Sequence, residues 1–233
     1  MKTQAIFCAL LCSGTLLLSS CDTKTTTETA ATETGAAGDM TAMDHSAMGN
    51  AATAGTSPLN ASMDEMMAKM DAMKMKGNTD HDFAHMMLEH HKGAVAMADI
   101  QLRDGKDATM RQMAEKIKAE QLKEITELEA VATRLDSAPT NYQPNDPADP
   151  FTSKMKASMD GMMQNMPKPV ANPDMNFNML MTVHHQSAVD MAKAELAHGK
   201  DTKLKEMAQM MITAQEKEIA DFKAWHDKNT DKM

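Results

Sequence analysis

The sequence repeats itself, and this internal repeat constrains the fold more than any other feature. From Asp80 onward a second copy follows the first at one constant spacing, so that Asp174 is the counterpart of Asp80. Further matched pairs include Phe83 and Phe177, His90-His91 and His184-His185, Ala94-Val95 and Ala188-Val189, Met97-Ala98 and Met191-Ala192, Gly105 and Gly199, Asp107 and Asp201, Gln121 and Gln215, and Glu124 and Glu218. Two copies of one module are therefore present.

The composition favours helices over strands in both modules. Only 3% of the residues are aromatic whereas 28 are methionine, so any core must consist largely of Met, Ala, Leu and Ile. Each module is predicted to form a short Met-rich helix, a long histidine-containing helix and a second long helix. The indicated bounds are Pro58–Met75, Asp80–Leu102 and Asp107–Leu135 in the first module, and Thr152–Met166 and Asp201–Lys228 for the outer two helices of the second module.

The residues between the long helices predict how these helices pack. Gly105 and Gly199 stand where glycine often ends a helix, and Asp107 and Asp201 stand where an N-cap often begins one. Such short turns make the two long helices of a module antiparallel neighbours. Because one helix pair leaves apolar faces uncovered, we expect an all-α fold with one four-helix bundle made by both modules and the short helices outside it. Two separate small bundles, each completed by a partner chain, are the alternative.

The N-terminal part of the chain indicates export. Its apolar stretch is too short to span a membrane as a mature helix and is typical of a signal peptide. It ends in Leu18-Ser19-Ser20-Cys21, which resembles the bacterial lipobox, and Cys21 would then carry the lipid. A plain secretory signal with an incidental cysteine is the alternative. The expected segments are a signal peptide (1–20), a disordered tether (21–57), the first helical module (58–136), a Pro-rich linker (137–150) and the second helical module (151–233).

Charge and cysteine content narrow the class of partner. The formal net charge of −9 argues against a nucleic-acid partner and suits cations. Cleavage before Cys21 would remove Cys8 and Cys12, leaving no cysteine for a disulfide or a thiolate metal site.

The paired histidines on the long helices are the first candidate metal ligands. His90 and His91 lie on or beside the apolar stripe of their helix, as His184 and His185 do in the second module. Buried imidazoles need hydrogen-bond partners, and the antiparallel register places polar residues beside them. These expected partners are Gln121, Glu124, Gln215 and Glu218. The same residues could instead satisfy one another as a structural polar network without metal.

A second candidate pair faces outward. His81 and His85 are one helical turn apart and could share one metal ion. Their counterparts are Met175 and Met179, and an exchange of histidine for methionine keeps copper binding because copper accepts both residue types. Ordinary drift after duplication would give the same pattern. Met86, Met87 and Met181 on the histidine helices are further candidates.

Methionine clusters form the third group of candidates. Methionine runs nearly all round the short helices, so we expect several thioethers to face solvent and to bind Cu(I). The residues concerned are Met63, Met66, Met67, Met70, Met159, Met162 and Met163. The tether adds Met43, His45 and Met48, a string that resembles the Met/His segments of bacterial copper-resistance proteins. A low-complexity linker that contains Met and His by chance is the alternative.

Several enzyme classes lack their motifs in this sequence. Glu-x-x-His occurs once, at Glu195 and His198, whereas a ferritin-like di-iron centre requires it on two helices, and there is no His-Glu-x-x-His motif. A phosphate loop, a dinucleotide fingerprint and a nucleophile elbow are absent as well. We therefore expect a binding protein and not an enzyme.

The repeated signature Asp-x-x-Phe, Met, His-His, Ala-Val, Met-Ala, Gly-x-Asp and Gln-x-x-Glu-Ile resembles the bacterial family labelled domain of unknown function 305. The second module also carries the final tryptophan, Trp225, which the first module lacks. The resemblance covers the chain from Asp80 to the C-terminus. It implies a ferritin-like four-helix architecture, an exported protein and, as in some members, a link to copper.

The sequence thus predicts a lipid-anchored, extracytoplasmic protein that sequesters or hands on copper. Thioethers favour Cu(I), and imidazoles also accept Cu(II). Expected partners are the copper ion, the membrane through the lipid anchor and a copper exporter or other copper carrier. The alternative is a structural or protein-interaction module with no physiological metal.

Overall fold

The structure, a computed structural model, describes residues 57–232. These residues form helices and no strand, so the predicted all-α class is confirmed. The helices are α1 Pro58–Asp71, α2 Thr79–Asp104, α3 Ala108–Leu135, α4 Pro150–Gln164, α5 Pro173–His198 and α6 Thr202–Asp227, followed by a 3₁₀ turn at Thr230–Lys232.

All six α-helices begin at a side chain that accepts a hydrogen bond from a free backbone N–H of the first turn. The caps are Ser57, Asn78, Asp107, Asp149, Asn172 and Asp201. The N-cap predictions at Asp107 and Asp201 are thereby confirmed. Helix α4 begins two residues earlier than predicted, because Asp149 caps it and Pro150 fits its first position.

Helix α1 is shorter than predicted and ends at Asp71 instead of Met75. The chain turns after it at Gly77, whose φ of 86° is readily adopted by glycine only. The Asp82 carboxylate fixes this turn by accepting the backbone N–H groups of Lys76 (2.9 Å) and Gly77 (2.8 Å).

The four long helices form one bundle. Helix α2 packs against α3 and helix α5 against α6, as two hairpins, and α2 packs against α5 at the centre. Helix α1 contacts both α2 and α5, and α4 contacts α5. The prediction of one bundle made from both modules, with the short helices outside it, is confirmed.

Each module holds the turn of the other through a buried aspartate. Asp80, at the start of α2, accepts the backbone N–H groups of Lys200 (2.7 Å) and Asp201 (2.6 Å). Asp174, at the start of α5, accepts the N–H of Lys106 at 3.0 Å and the Gln101 amide at 2.6 Å. Since the start of each central helix meets the end of the other, α2 and α5 are antiparallel and related by a pseudo-twofold axis.

The turn glycines are required by close packing. Gly105 and Gly199 have φ of −69° and −63°, so they do not use the left-handed conformation expected of a glycine after a helix. A Cβ at Gly105 would lie 2.2 Å from the Gln101 amide nitrogen, and one at Gly199 would lie 2.0 Å from Glu195 Oε1. The side chain one turn earlier occupies this space in both modules.

Methionine fills much of the core, as the composition predicted. The buried methionines of the described residues are Met63, Met66, Met70, Met86, Met87, Met97, Met110, Met155, Met162, Met175, Met181, Met191, Met207 and Met211. Phe83, Phe177 and Phe222 are the largest fully buried side chains. A flexible thioether adapts to irregular spaces between helices that present few aromatic side chains.

Candidate metal centre

The two histidine pairs meet at the centre of the bundle, where α2 crosses α5. All four histidines are fully buried. The rings of His90 and His184 are 3.7 Å apart between centroids. His184 Nε2 lies 3.0 Å from the backbone carbonyl oxygen of His90, and because a carbonyl only accepts, this nitrogen carries the proton. The pseudo-twofold axis thus brings together the pairs that the sequence separates.

The outer histidine of each pair contacts a glutamate on the second long helix. His91 Nε2 donates to Glu124 Oε2 at 2.8 Å, and His185 Nε2 lies 2.9 Å from Glu218 Oε2. Lys116 reaches across from α3 and donates to Glu218 Oε1 at 2.9 Å. The structure therefore places Glu124 and Glu218 beside the histidines, as the antiparallel register predicts.

The two predicted glutamine partners do not bond to the histidines. Gln121 and Gln215 are buried, but none of their four amide atoms contacts a hydrogen-bond partner among the described residues. Both side chains line a cleft between α3 and α6.

Burial controls the charge of the central histidines. It holds the pKa of His90 well below its usual range, with a further contribution from the nearby His184, His91 and His185. Burial likewise lowers the pKa of His184. Burial alone would raise the pKa of Glu218, but the close His185 imidazole and the Lys116 ammonium outweigh it and lower this pKa to about 2. The inner imidazoles are therefore neutral near pH 7 while Glu218 is ionised.

One group of three potential ligands converges in the described part of the chain, and it lies at the surface end of α2. His81 Nε2 and His85 Nε2 are each 3.5 Å from Asp136 Oδ1, and the ligand atoms of the three residues lie within 4.8 Å of one another. The central histidines form no such group. The sequence pairing of His81 and His85 thus gains a carboxylate that the sequence analysis missed.

The outward site is held by further hydrogen bonds. His81 Nδ1 lies 2.7 Å from Asp82 Oδ1, while Tyr142 Oη donates to Asp82 Oδ2 at 2.7 Å. Lys76 Nζ donates to the backbone carbonyl of Asp136. A carboxylate that fixes one nitrogen of a histidine directs the other nitrogen towards a metal. His81 is only 13% exposed, whereas Asp136 is 63% exposed, so the site opens to solvent through Asp136.

Asp136 follows the last residue of α3 and is its C-cap. The register of the hairpin sets residues near position 130 of α3 opposite His81, several residues before Asp136. The available signal was helix length, since two hairpin helices of similar length bring the start of α2 beside the end of α3.

The expectation of solvent-facing thioethers on the short helices is wrong for most of them. Met63, Met66, Met70 and Met162 are buried, and Met67 and Met159 are half-buried; Met163 alone of the seven is well exposed, at 59%. The physical reason on α1 is that it packs against both α2 and α5, which buries more than one side of it.

The remaining methionine candidates occupy different environments. Met86, Met87, Met175 and Met181 are buried and belong to the core, and Met179 is half-buried. Met175 and Met179 therefore do not form an outward pair like His81 and His85. Cys21, Met43, His45 and Met48 lie outside the described residues.

No α-helix between residues 57 and 232 is both long enough and apolar enough to span a membrane.

Comparisons with known proteins find similar solved structures. The solved structures similar to this chain include CopM in its Cu(I)-bound form, at 24% identity and a TM-score of 0.49, covering 64% of this chain and 96% of CopM. A DUF305 fragment from Deinococcus radiodurans matches at 24% identity and a TM-score of 0.48, with coverages of 64% and 96%. A DUF305 protein from Streptomyces coelicolor, named as secreted, matches at 23% identity and a TM-score of 0.51, with coverages of 67% and 96%.

No protein with a curated description matches the sequence. The sequence profile of the family described as "Domain of unknown function (DUF305)" matches residues 17–132 and 80–226. These two matches overlap and together cover well over half of the chain, so the chain belongs to the DUF305 family.

Proposed function

We propose that this chain is an extracytoplasmic, lipid-anchored copper-binding protein that sequesters copper or hands it on and has no catalytic role. The observation that carries the proposal is the convergence of His81, His85 and Asp136. Two imidazoles and one carboxylate bind Cu(II) more tightly than the other first-row divalent ions. The contact between His81 and Asp82 supports the proposal because it orients one ligand before the ion arrives.

Because most short-helix thioethers are buried, the oxidation state of copper is assigned from the other candidate ligands. The sequence favoured Cu(I) because of its many methionines, but the ligand atoms of His81, His85 and Asp136 are nitrogen and oxygen. We therefore assign Cu(II) to His81, His85 and Asp136. Cu(I) binding depends on exposed thioethers such as those of Met163 (59% exposed) and Met210 (56% exposed).

The test is a Cu(II) titration of the full-length mature protein, followed by the spectroscopic signal of histidine-bound Cu(II). We expect His85→Ala to weaken binding at least tenfold, because it removes one of three ligands. His226→Ala is the matched control, since His226 is also partly exposed beside an aspartate, with His226 Nδ1 3.7 Å from Asp227. It belongs to no three-ligand group within residues 57–232. Equal Cu(II) binding by both variants would refute the assignment.

Anchoring is a separate part of the proposal and has its own test. It is supported by the lipobox-like sequence that ends at Cys21. We expect Cys21→Ser to move the protein from the membrane fraction to the soluble extracytoplasmic fraction. An unchanged membrane fraction would argue against the lipid anchor without affecting the copper assignment.

A structural or protein-interaction module is the second candidate function. The observation that favours it is the burial of the central histidines and of most short-helix methionines. Thermal melts with and without copper separate the two candidates, because a ligand that binds the folded state raises its stability. A melting temperature that neither Cu(I) nor Cu(II) changes would favour the interaction module.

A further inference from the structure

The cleft between α3 and α6 has two pseudo-symmetric halves that differ in charge. It has a volume of about 220 Å³. Gln121 and Glu124 line it from α3, and Met210, Gln215 and Glu218 line it from α6. Each half thus offers one glutamine and one glutamate, and behind each glutamate lies a fully buried histidine.

In the second-module half, a lysine supplies a positive charge to the glutamate. The Lys116 ammonium lies 2.9 Å from Glu218 Oε1 and 3.4 Å from Glu120 Oε2. Lys116 belongs to the first module, so it reaches across the cleft between the two hairpins. The buried Glu218 carboxylate is thereby neutralised by one unit of positive charge.

In the first-module half, a methionine stands where the lysine would be. Met210 is the counterpart of Lys116 in the repeat, just as Glu218 is the counterpart of Glu124. The pseudo-twofold axis therefore brings Met210 to the Glu124 side of the cleft, and both residues line it. Among the described residues, no lysine or arginine forms an ion pair with Glu124. Its carboxylate instead accepts the hydrogen bond from His91.

Gln121 adds a buried, unpaired polar side chain to this half. Its side chain is only 2% exposed, yet neither amide atom contacts a hydrogen-bond partner in the described part of the chain, although buried amides in folded proteins nearly always have one. Gln215 in the other half lacks a partner as well, so the two halves differ in the charge beside the glutamate and not in their amides.

We propose that the Glu124 half of the cleft binds one Cu(I) ion through Met210, His91 and Glu124, at the position that the Lys116 ammonium takes in the other half. This inference rests on the proposed copper function and names a second site for it. The thioether and the imidazole are ligands that Cu(I) prefers. A monovalent ion balances Glu124 with the same single charge that Lys116 brings to Glu218.

The proton on His91 can be accounted for. Nε2 of His91 donates to Glu124 in the structure and must lose its proton to bind an ion. Nδ1 of His91 is buried without a partner among the described residues, so it can take this proton while the ring stays neutral. Glu124 remains a carboxylate and contributes to the ion's coordination.

The difference between the two halves supplies the experiment. Cu(I) binding is measured anaerobically on the full-length mature protein by competition with a weak Cu(I) chelator. We expect Met210→Lys to remove one Cu(I) equivalent, because the new ammonium takes the ion's place as Lys116 does. Met210→Leu should weaken this site at least tenfold by removing the sulfur. Lys116→Met should add one Cu(I) equivalent by opening the second half.

Matched controls make the outcome decisive. Leu122→Lys introduces a lysine at an exposed apolar residue of α3 that does not line the cleft and has no metal-binding atom, and it should leave Cu(I) binding intact. If Met210→Lys and Leu122→Lys bind equal amounts of Cu(I), the cleft site is refuted. Cu(II) binding at His85 is measured on the same samples, so loss of the proposed function as a whole is distinguished from loss of this site, and circular dichroism verifies folding.

Discussion

Replacing Glu195 by glutamine is expected to stabilise the protein at neutral pH. Glu195 is fully buried, and among the described residues no donor reaches either of its carboxyl oxygens. Burial, followed by the nearby Asp80 carboxylate, raises the pKa of Glu195 to about 9. The first module carries Gln101 at the equivalent place, and its amide donates to Asp174 at 2.6 Å. Glutamine thus already performs this role once in the fold.

The raised pKa fixes the sign and size of the effect. In the unfolded chain the pKa of Glu195 is near 4.5. The stability that the protonated Glu195 side chain gives the fold is therefore complete below that pH and is lost as pH rises towards 9. Each pH unit in this window costs about 1.4 kcal/mol. At pH 7 the loss amounts to about 3 kcal/mol, which Glu195→Gln should recover. For a domain of this size the melting temperature should rise by roughly 6–12 °C.

Chemical denaturation of both proteins between pH 4.5 and pH 8.5 tests this reasoning. The gain from Glu195→Gln should be near zero at the acid end and should grow with pH. Gln101→Glu is the reciprocal control, because it places an acid beside Asp174 and should destabilise the protein increasingly as pH rises. A gain from Glu195→Gln that is independent of pH, or a loss at neutral pH, would refute a protonated Glu195 at the Asp80 contact.

Three further predictions concern other parts of the bundle. Glu218→Gln should lower the free energy of unfolding at pH 7 by about 2–3 kcal/mol. The lowered pKa of Glu218 gives stability that is present above about pH 4.5 and is lost as pH falls towards 2. Urea melts of the variant and the wild type should therefore converge near pH 2. Met63→Ala should lower the free energy of unfolding by about 2–5 kcal/mol, because it leaves a cavity. It should not change the copper stoichiometry, since Met63 is fully buried. Reduced stoichiometry in a folded variant would show that the Met63 thioether binds metal. Gly105→Ala should lower the free energy of unfolding by about 1–3 kcal/mol. The added Cβ would lie 2.6 Å from the Gln101 carbonyl oxygen and would also meet the Gln101 side chain. Thermal melts that show no loss of stability would contradict the close packing described for this turn.

The repeat and the register of the hairpins were enough to predict much of the fold. Equal spacing of Asp107 and Asp201 from the histidine pairs fixed where each second helix begins. The antiparallel register then brought Glu124 and Glu218 beside the histidines. These features follow from the helical period and from short turns, which are local properties of the sequence.

The features that the sequence did not reveal depend on packing between distant segments. Asp136 joins His81 and His85 only because α3 ends at the level at which α2 begins. The burial of Met66 depends on α1 approaching α2 at Gly93, where an added Cβ would lie 2.4 Å from the Met66 sulfur. The composition of α1 alone does not show which helices it touches.

The exchange of aspartate contacts between the modules bears on how this fold originated. Asp80 binds the turn of the second half and Asp174 that of the first, which is the self-complementary pattern of an isologous interface. A single ancestral module could have satisfied the same contacts by pairing with an identical copy. Within one polypeptide the two copies need not be identical, so Lys116 differs from Met210, and His81 from Met175, while the aspartate contacts are kept on both sides.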